Sequence, residues 1–126
     1  MFLLRSIDMD VIDLIGKALN IRSSQHKVIS GNIANVETPG YKEKSIDFKK
    51  EMNRAVNSDL KSAAGMDIEI TESPDNGGLP SIDGNTVNVE NQMVKLTENQ
   101  VMFQSLVQIA AKRFSMMKFL ISEGKR

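Results

Sequence analysis

The stretch from Val89 to Ile121 decides the fold, and it reads VENQMVKLTENQVMFQSLVQIAAKRFSMMKFLI. Apolar residues recur along it at steps that alternate between four and three, with Gln100 as the single polar member of the series. A heptad-like period kept for this long predicts one helix over residues 89–122 that packs as in a coiled coil. Asn88, directly before it, is a residue type that caps helix N-termini. We expect this apolar seam to be buried in assembly through Met93, Leu96, Phe103, Val107, Ala110, Phe114, Met117 and Ile121.

This predicted helix carries more apolar surface than one seam can bury. Val101, Leu106 and Phe119 lie off the seam, and no charged residue occurs from Asn99 to Ala111. A helix that is apolar on more than one side needs more than one neighbour. The pattern therefore favours self-assembly or a helical partner over the alternative, an ordinary monomeric core.

The N-terminal part shows the same surplus over residues 8–35. Two adjacent apolar tracks of helical spacing make a wide apolar face, which predicts a second long helix. Asp8, Asp10 and Asp13 are carboxylates of the kind that helix N-termini favour. Pro39 and Gly40 are expected to end the helix, because Pro disfavours helical geometry in the residue before it and Pro-Gly fits the centre of a type II turn. The apolar positions expected to be buried in assembly are Ile12, Ile15, Leu19, Ile29 and Ile33.

The segment between the two helices, residues 36–88, is polar and holds all three prolines and five of the eight glycines. Weak helical spacing over 46–60 predicts a short helix, and alternation of apolar and polar residues over 66–70 predicts a short strand. Residues 86–89 are expected to form a second short strand, and 73–84 a turn-rich loop. The predicted fold class is mainly α. The terminal helices pack as an antiparallel, coiled-coil-like pair in a single unit of residues 1–126, with an irregular middle segment that contains a short β element.

Composition excludes several classes of function. Lys plus Arg and Asp plus Glu are both 16, so the formal net charge is zero, which argues against a strongly basic nucleic-acid binder. The absence of cysteine excludes disulfide frameworks and Cys-ligated zinc. The apolar run at the N-terminus is too short for a cleaved signal peptide, and none is long enough for a membrane span. The chain is thus expected to stay in the cytoplasm or to leave by a secretion system that reads an uncleaved terminus.

Few residues suggest chemistry. His26 is the single imidazole, and nothing near it supplies an orienting carboxylate at helical spacing. Asp75, Asn76, Asp83 and Asn85 have the composition of a calcium loop without its spacing. We therefore expect no catalytic residue, metal, cofactor, nucleic acid or small-molecule substrate. A small hydrolase that uses His26 is the enzyme alternative.

The residues from Ala18 to Lys42 carry a family resemblance. They resemble the N-terminal signature of the bacterial flagellar rod and hook proteins, and the matching core is long and specific. The stretch from Asp83 to Ser115 is similar to the small proximal rod proteins of that family, which lack the large domain that hook proteins insert between their terminal helices. The signature residues are Asn32, Ile33, Ala34, Asn35, Thr38, Pro39, Gly40 and Tyr41.

The resemblance implies a structural subunit of the proximal rod of the flagellar basal body, and not an enzyme. Such subunits leave the cell through the flagellar type III export apparatus, and their terminal helices pack into a tubular drive shaft that spans the cell envelope. The implied partners are copies of the chain, other flagellar rod proteins, and membrane-ring and export-gate components at the rod base. Tyr41 is expected to anchor the turn at Gly40. The alternative is a cytoplasmic helical adaptor or secretion chaperone.

Overall fold

Two long helices account for most of the chain in the computed structural model, which describes residues 2–57, 67–73 and 82–124. In chain order the elements are α1 (Phe2–Ala34), β1 (Lys44–Ser45), α2 (Phe48–Asn57), β2 (Thr71–Glu72) and α3 (Val89–Gly124). Within these ranges no helix is both long enough and apolar enough to cross a membrane.

Helices α1 and α3 lie side by side and run in opposite directions. The Asn32 side chain near the end of α1 contacts Gln92 near the start of α3, with Nδ2 donating to Oε1 at 3.0 Å. Further along the pair, Asn99 Nδ2 donates to the Arg22 carbonyl at 2.8 Å. Residue numbers therefore rise along one helix as they fall along the other, and the predicted antiparallel helix pair with a short β element in the middle segment is confirmed.

The predicted cap at the start of α3 and the predicted turn after α1 are both present. Asn88 caps α3, because its Oδ1 accepts a hydrogen bond from the Asn91 amide at 3.1 Å. After α1 the Tyr41 amide donates to the Thr38 carbonyl at 3.3 Å, and Gly40 has φ of +74°. This is the geometry of a type II turn with glycine at its left-handed position.

The outer helix ends differ from the prediction. Helix α1 begins at Phe2 and not at residue 8, and it has no acidic residue in its first turn. The residues before Asp8 include Leu and Arg, which are good helix formers, and no proline or glycine lies among them. Carboxylates at 8, 10 and 13 therefore lie inside the helix and do not mark its start. Helix α3 extends to Gly124, two residues beyond the predicted limit of 122.

The middle helix α2 forms inside the segment for which weak helical spacing predicted it. Asp47 caps it, since its Oδ1 accepts from the Lys50 amide at 3.1 Å. Glu51 and Ala55, four residues apart, are its buried residues. The short helix packs this face toward α1, where the Lys17 ammonium donates to the Ala55 carbonyl at 3.3 Å.

The strand predictions were wrong in position. Residues 67–70 form no strand, and the strand β2 follows directly at Thr71–Glu72, where it pairs antiparallel with β1. Residues 86–88 do not form a strand either. The Val87 amide donates to a side chain, Asn85 Oδ1, at 2.8 Å. Most of the predicted 73–84 loop, residues 74–81, lies outside the described residues.

The buried apolar residues lie on α1, on α2 and next to β1. Helix α3 contributes to the described core through two polar residues, Gln92 and Asn99, which are its buried positions. Intramolecular packing thus covers the inner face of α1, whereas the fully buried residues that α3 contributes are polar and its inward apolar residues are half-buried. The buried apolar side chains are Ile15, Ala18, Ile21, Ile29, Ile46 and Ala55.

Candidate assembly site

A hydrogen-bonded junction joins the end of α1 to the start of α3, and the fully buried Asn32 is at its centre. Asn32 Oδ1 accepts from the Lys44 amide at 3.0 Å and from the Tyr41 hydroxyl at 3.3 Å. Its Nδ2 donates to the Lys44 carbonyl at 2.7 Å and to Gln92 Oε1. One carboxamide therefore ties α1, the turn after it, strand β1 and α3 together. We call Asn32, Tyr41, Asn85 and Gln92 the junction.

Asn85 closes the C-terminal end of α1. Its buried Nδ2 donates toward the carbonyls of Asn35, Val36 and Thr38 at 2.9, 2.9 and 2.8 Å. These carbonyls follow the last helical turn and have no partner within the helix. The residues just before α3 thus cap α1, so the position of each helix depends on the other.

Two glycines allow the chain segments at the junction to approach. Gly40 and Gly84 have φ of +74° and +77°, a region that glycine enters without steric cost. A Cβ on Gly84 would lie 3.7 Å from the Gly40 Cα, and the Gly40 amide donates to the Asp83 carbonyl at 2.9 Å. The turn after α1 and the turn before α3 are in direct contact.

Charged groups extend the junction outward. The Glu43 Oε1 accepts from Gln92 Nε2 at 2.5 Å and from the Lys95 ammonium at 2.9 Å. The Glu43 amide in turn donates to the buried Thr86 Oγ1 at 2.7 Å. Gln92 therefore bridges Asn32 on one side and a charged pair on the other.

The eight signature residues divide between the junction and the surface. Asn32 and Tyr41 are in the junction, and Asn35 supports it by donating from Nδ2 to the Gly31 carbonyl at 2.8 Å. Ile33 is half-buried. The exposed members are Ala34, Thr38, Pro39 and Gly40.

Sequence reasoning missed Glu43, Asn85 and Gln92 as site residues. A signal was present for the neighbouring Asn32, because it occupies a position on an apolar track of α1, where a polar residue indicates a buried hydrogen bond. The partners of Asn32 carry no comparable local signal, since they are brought to it from the middle segment and from α3.

The residues predicted to form the apolar seams differ in burial between the two long helices. On α1, Ile15 and Ile29 are buried, and Ile12, Leu19 and Ile33 are half-buried. On α3 the residues that face α1 also recur at steps of three and four, but they are not the same set as the predicted seam. The two sets share Leu96, Ala110 and Met117. The buried and half-buried residues of α3 are Gln92, Leu96, Asn99, Leu106, Ala110, Arg113 and Met117.

The remaining seam residues belong to a large exposed surface, which we call the α3 apolar surface. Each of its side chains is at least 37% exposed. Exposed large apolar side chains in this number, on more than one side of a helix, are typical of a helix that contacts other proteins. Its members are Val89, Met93, Val94, Val101, Met102, Phe103, Val107, Ile109, Phe114, Met116, Phe119, Leu120 and Ile121.

Comparison with known proteins identifies relatives of this chain. A family model described as "Flagella basal body rod protein" matches residues 15–42, which comprise most of α1 and the turn after it. Flagellar basal body rod protein FlgB of Bacillus subtilis is 30% identical, and the match covers 95% of this chain and 99% of that protein. FlgB of Escherichia coli is also 30% identical, over 84% of this chain and 89% of that protein. FlgB of Yersinia ruckeri is 27% identical, over 86% and 90%.

The resemblance seen in residues 18–42 is thus confirmed by similarity over most of the chain. The matches to these three relatives cover 86%, 95% and 84% of the chain, and the family model covers residues 15–42, which include Asn32 and Tyr41 of the junction. The chain belongs to the FlgB family of flagellar basal body rod proteins.

Proposed function

We propose that this chain is a structural subunit of the proximal rod of the flagellar basal body, and that copies of it associate through the α3 apolar surface. One observation carries the proposal: the buried residues of α3 are polar, whereas most of its large apolar side chains are exposed. A helix folded for a monomeric core has the opposite arrangement.

The physical basis of association is apolar burial at about 25 cal/mol per Å² of surface removed from water. Phe, Met and Val side chains along α3 supply this surface over most of the helix length. The methionines suit contacts with neighbours that differ in shape, because their unbranched side chains adapt. Zero formal net charge adds little repulsion between copies.

The junction suits a mechanical role. Asn32 and Asn85 fix the position of α1 relative to α3 by hydrogen bonds to backbone and side chains of several segments. A subunit whose two helices hold one relative position transmits torque without internal rearrangement. We therefore assign residues 1–126 to a single unit of the drive shaft, with a structural role and no catalytic one.

The proposed partners are copies of the chain, other flagellar rod proteins, and membrane-ring and export-gate components at the base of the rod. The names of the relatives support a location in the basal body, because each is a flagellar basal body rod protein. We propose that the chain reaches this location through the flagellar type III export apparatus.

Imaging tests the proposal in the cell. Basal bodies purified from a strain lacking this chain are expected to have no proximal rod, and restoring the gene is expected to restore it. Intact rods in the deletion strain would contradict the proposal. A chain that stays inside the cell with the export machinery would identify the alternative, a cytoplasmic helical adaptor or secretion chaperone.

Association tests the surface. Val107→Asp places a charge on the α3 apolar surface, and Val56→Asp makes the same change at an exposed valine of α2. Sedimentation velocity over a range of concentrations is expected to show association of the native chain and of Val56→Asp, and its loss in Val107→Asp. Equal association of the two variants would exclude this surface as the contact.

A further inference from the structure

Helix α3 carries exposed apolar side chains on two separate sides of its contact with α1. The residues that face α1 include Gln92, Asn99 and Ala110, and they define the inward direction of the helix. Because successive residues of a helix are rotated by about 100°, every exposed side chain can be placed relative to that direction. Ten of the thirteen side chains in the α3 apolar surface then fall into two rows, one on each side of the inward direction.

The first row, which we call the phenylalanine row, lies roughly 65° to one side of the inward direction. It consists of Val89 and the exposed residues of the predicted seam, which are Met93, Phe103, Val107, Phe114 and Ile121. The second row, which we call the methionine row, lies roughly 80° to the other side. Its residues are Met102, Ile109, Met116 and Leu120. The two rows are therefore on opposite flanks of α3, and one neighbouring helix cannot cover both.

The chain offers one element that matches these rows in length and character, which is α3 itself. Outside α3, the large exposed apolar side chains of the described residues occur singly, one in each of four places: Leu14, Val56, Ile70 and Ile82. In an assembly of identical chains, the α3 of one copy is therefore covered by the α3 of another. No charged residue occurs from Asn99 to Ala111, so two such helices meet there without like charges in contact.

The exposed area differs among the possible pairings of rows. The side chains of both rows are between 37% and 55% exposed. Each therefore has roughly 80–100 Å² to bury, about half the surface of a large side chain. Two methionine rows together bury about 700 Å², which is the size of a nonspecific contact, because each has four residues. A phenylalanine row against a methionine row buries about 900 Å² from these side chains alone, close to the roughly 1,000 Å² of a specific interface.

Pairing of unlike rows is thus the arrangement that buries both rows of every copy in contacts of adequate size. Pairing of like rows leaves each methionine row exposed or confined to the smaller contact. Unlike rows also bring phenylalanine rings against methionine thioethers, which is a favourable contact, and unbranched methionine adapts to the shape of the opposite row.

We propose that copies of this chain associate through unlike surfaces, with the phenylalanine row of one α3 packed against the methionine row of the α3 in the next copy. The inference rests on the proposed self-association and specifies which side of α3 meets which. Each contact leaves one unlike row free at either end, so association continues from copy to copy and does not stop at a two-fold pair.

Two charge substitutions test the pairing, one in each row. Val107→Asp disables the phenylalanine row, and Ile109→Asp disables the methionine row two residues away. Each variant alone lacks one half of the contact, so sedimentation velocity is expected to show association weakened at least tenfold in both. Val101→Asp places the same charge at an exposed valine of α3 that lies in neither row, and it is expected to associate like the native chain.

A mixture of the two variants gives the decisive measurement. Val107→Asp retains a native methionine row, and Ile109→Asp retains a native phenylalanine row. Mixed in equal amounts, they are expected to form a dimer with the affinity of the native contact and to grow no further, because one native pair of rows is available. If like rows paired instead, each variant alone would form a dimer through its intact row, and mixing would add nothing.

The outcomes separate this inference from the proposed function. Dimers of either variant alone, a mixture that stays monomeric, or a native chain that stops at a dimer overturns the pairing of unlike rows and leaves the proposed function intact. Equal loss of association in Val101→Asp overturns the assignment of the contact to the two rows. A native chain that stays monomeric at every concentration overturns both proposals. Circular dichroism checks that each variant is folded, which is expected because all three substituted side chains are exposed.

Discussion

The buried carboxamides of Asn32 and Gln92 meet at 3.0 Å across the two long helices, although 60 residues separate them in the chain. Neither side chain has exposed surface. The contact lies at the inner end of the helix pair, where a shift of either helix by one residue would separate the two groups. Buried polar contacts at helix interfaces set register in this way, because a misaligned pair leaves unpaired groups in a dry environment.

Removal of the Asn32 side chain is expected to destabilise the fold strongly. Asn32→Ala removes the partner of the Lys44 amide, of the Lys44 carbonyl and of Gln92 Oε1, and the expected loss is about 3 kcal/mol of unfolding free energy. Urea unfolding followed by circular dichroism measures it. Asn53→Ala, at an exposed position of α2, is the control and is expected to change stability by less than about 0.5 kcal/mol. Equal stability of the two variants would show that the junction does not hold the helices.

Glycine substitutions are expected to have opposite signs at the turn and in the helix. Gly84→Ala forces a side chain into a backbone with φ of +77° and is expected to cost about 1–2 kcal/mol. Gly16→Ala lies inside α1, where a Cβ meets nothing within 4 Å, and is expected to stabilise by about 0.5–1 kcal/mol. Thermal unfolding of both variants tests the pair. Stabilisation by Gly84→Ala would contradict the left-handed turn.

The distal part of α3 is expected to be poorly protected in a dilute monomer. From residue 100 to residue 124 every side chain is exposed or half-buried, so the backbone hydrogen bonds there have little packing to support them. Hydrogen exchange is expected to be fast beyond Asn99 at low concentration and slower on association. Full protection through Ile121 in the monomer, with a melting curve independent of concentration, would count against assembly as the source of helix stability.

The pKa of Glu69 is expected to depend on Lys50. The Lys50 ammonium bonds to the Glu69 carboxylate at 2.8 Å and holds the pKa of that carboxyl below its ordinary value. The pair therefore contributes stability above the unfolded-state pKa and loses it as pH falls through the lower folded-state pKa. Lys50→Met is expected to raise the pKa of Glu69 toward its ordinary value in an NMR titration. Lys49→Met, an exposed neighbour, is expected to leave it unchanged.

The periodic parts of the chain could be predicted from the sequence. The two long helices, the Asn88 cap and the turn at Gly40 follow from local spacing and from the conformational limits of single residues. The strand could not be placed, because two residues per strand pair through contacts between positions 44 and 72 that no local pattern encodes.

The orientation of α3 is the largest part that local reasoning missed. The most apolar row of the helix was the natural choice for its contact with α1, yet the inward row contains Gln92 and Asn99. Those residues face α1, where Gln92 is hydrogen-bonded to Asn32 and Asn99 to the Arg22 carbonyl. Polar tertiary contacts can therefore outweigh apolar patterning in determining which side of a helix faces its neighbour.

The long sequence separation within the junction has a consequence in time. Asn85 reaches back 50 residues to Asn35, and Gln92 reaches back 60 to Asn32. During synthesis, which proceeds from the N-terminus, all residues of α1 are present well before the residues that hold α1 against α3. The junction closes only after residue 92 of 126 has appeared, when most of α3 is still to come. A chain that ends before residue 92 therefore cannot form the junction.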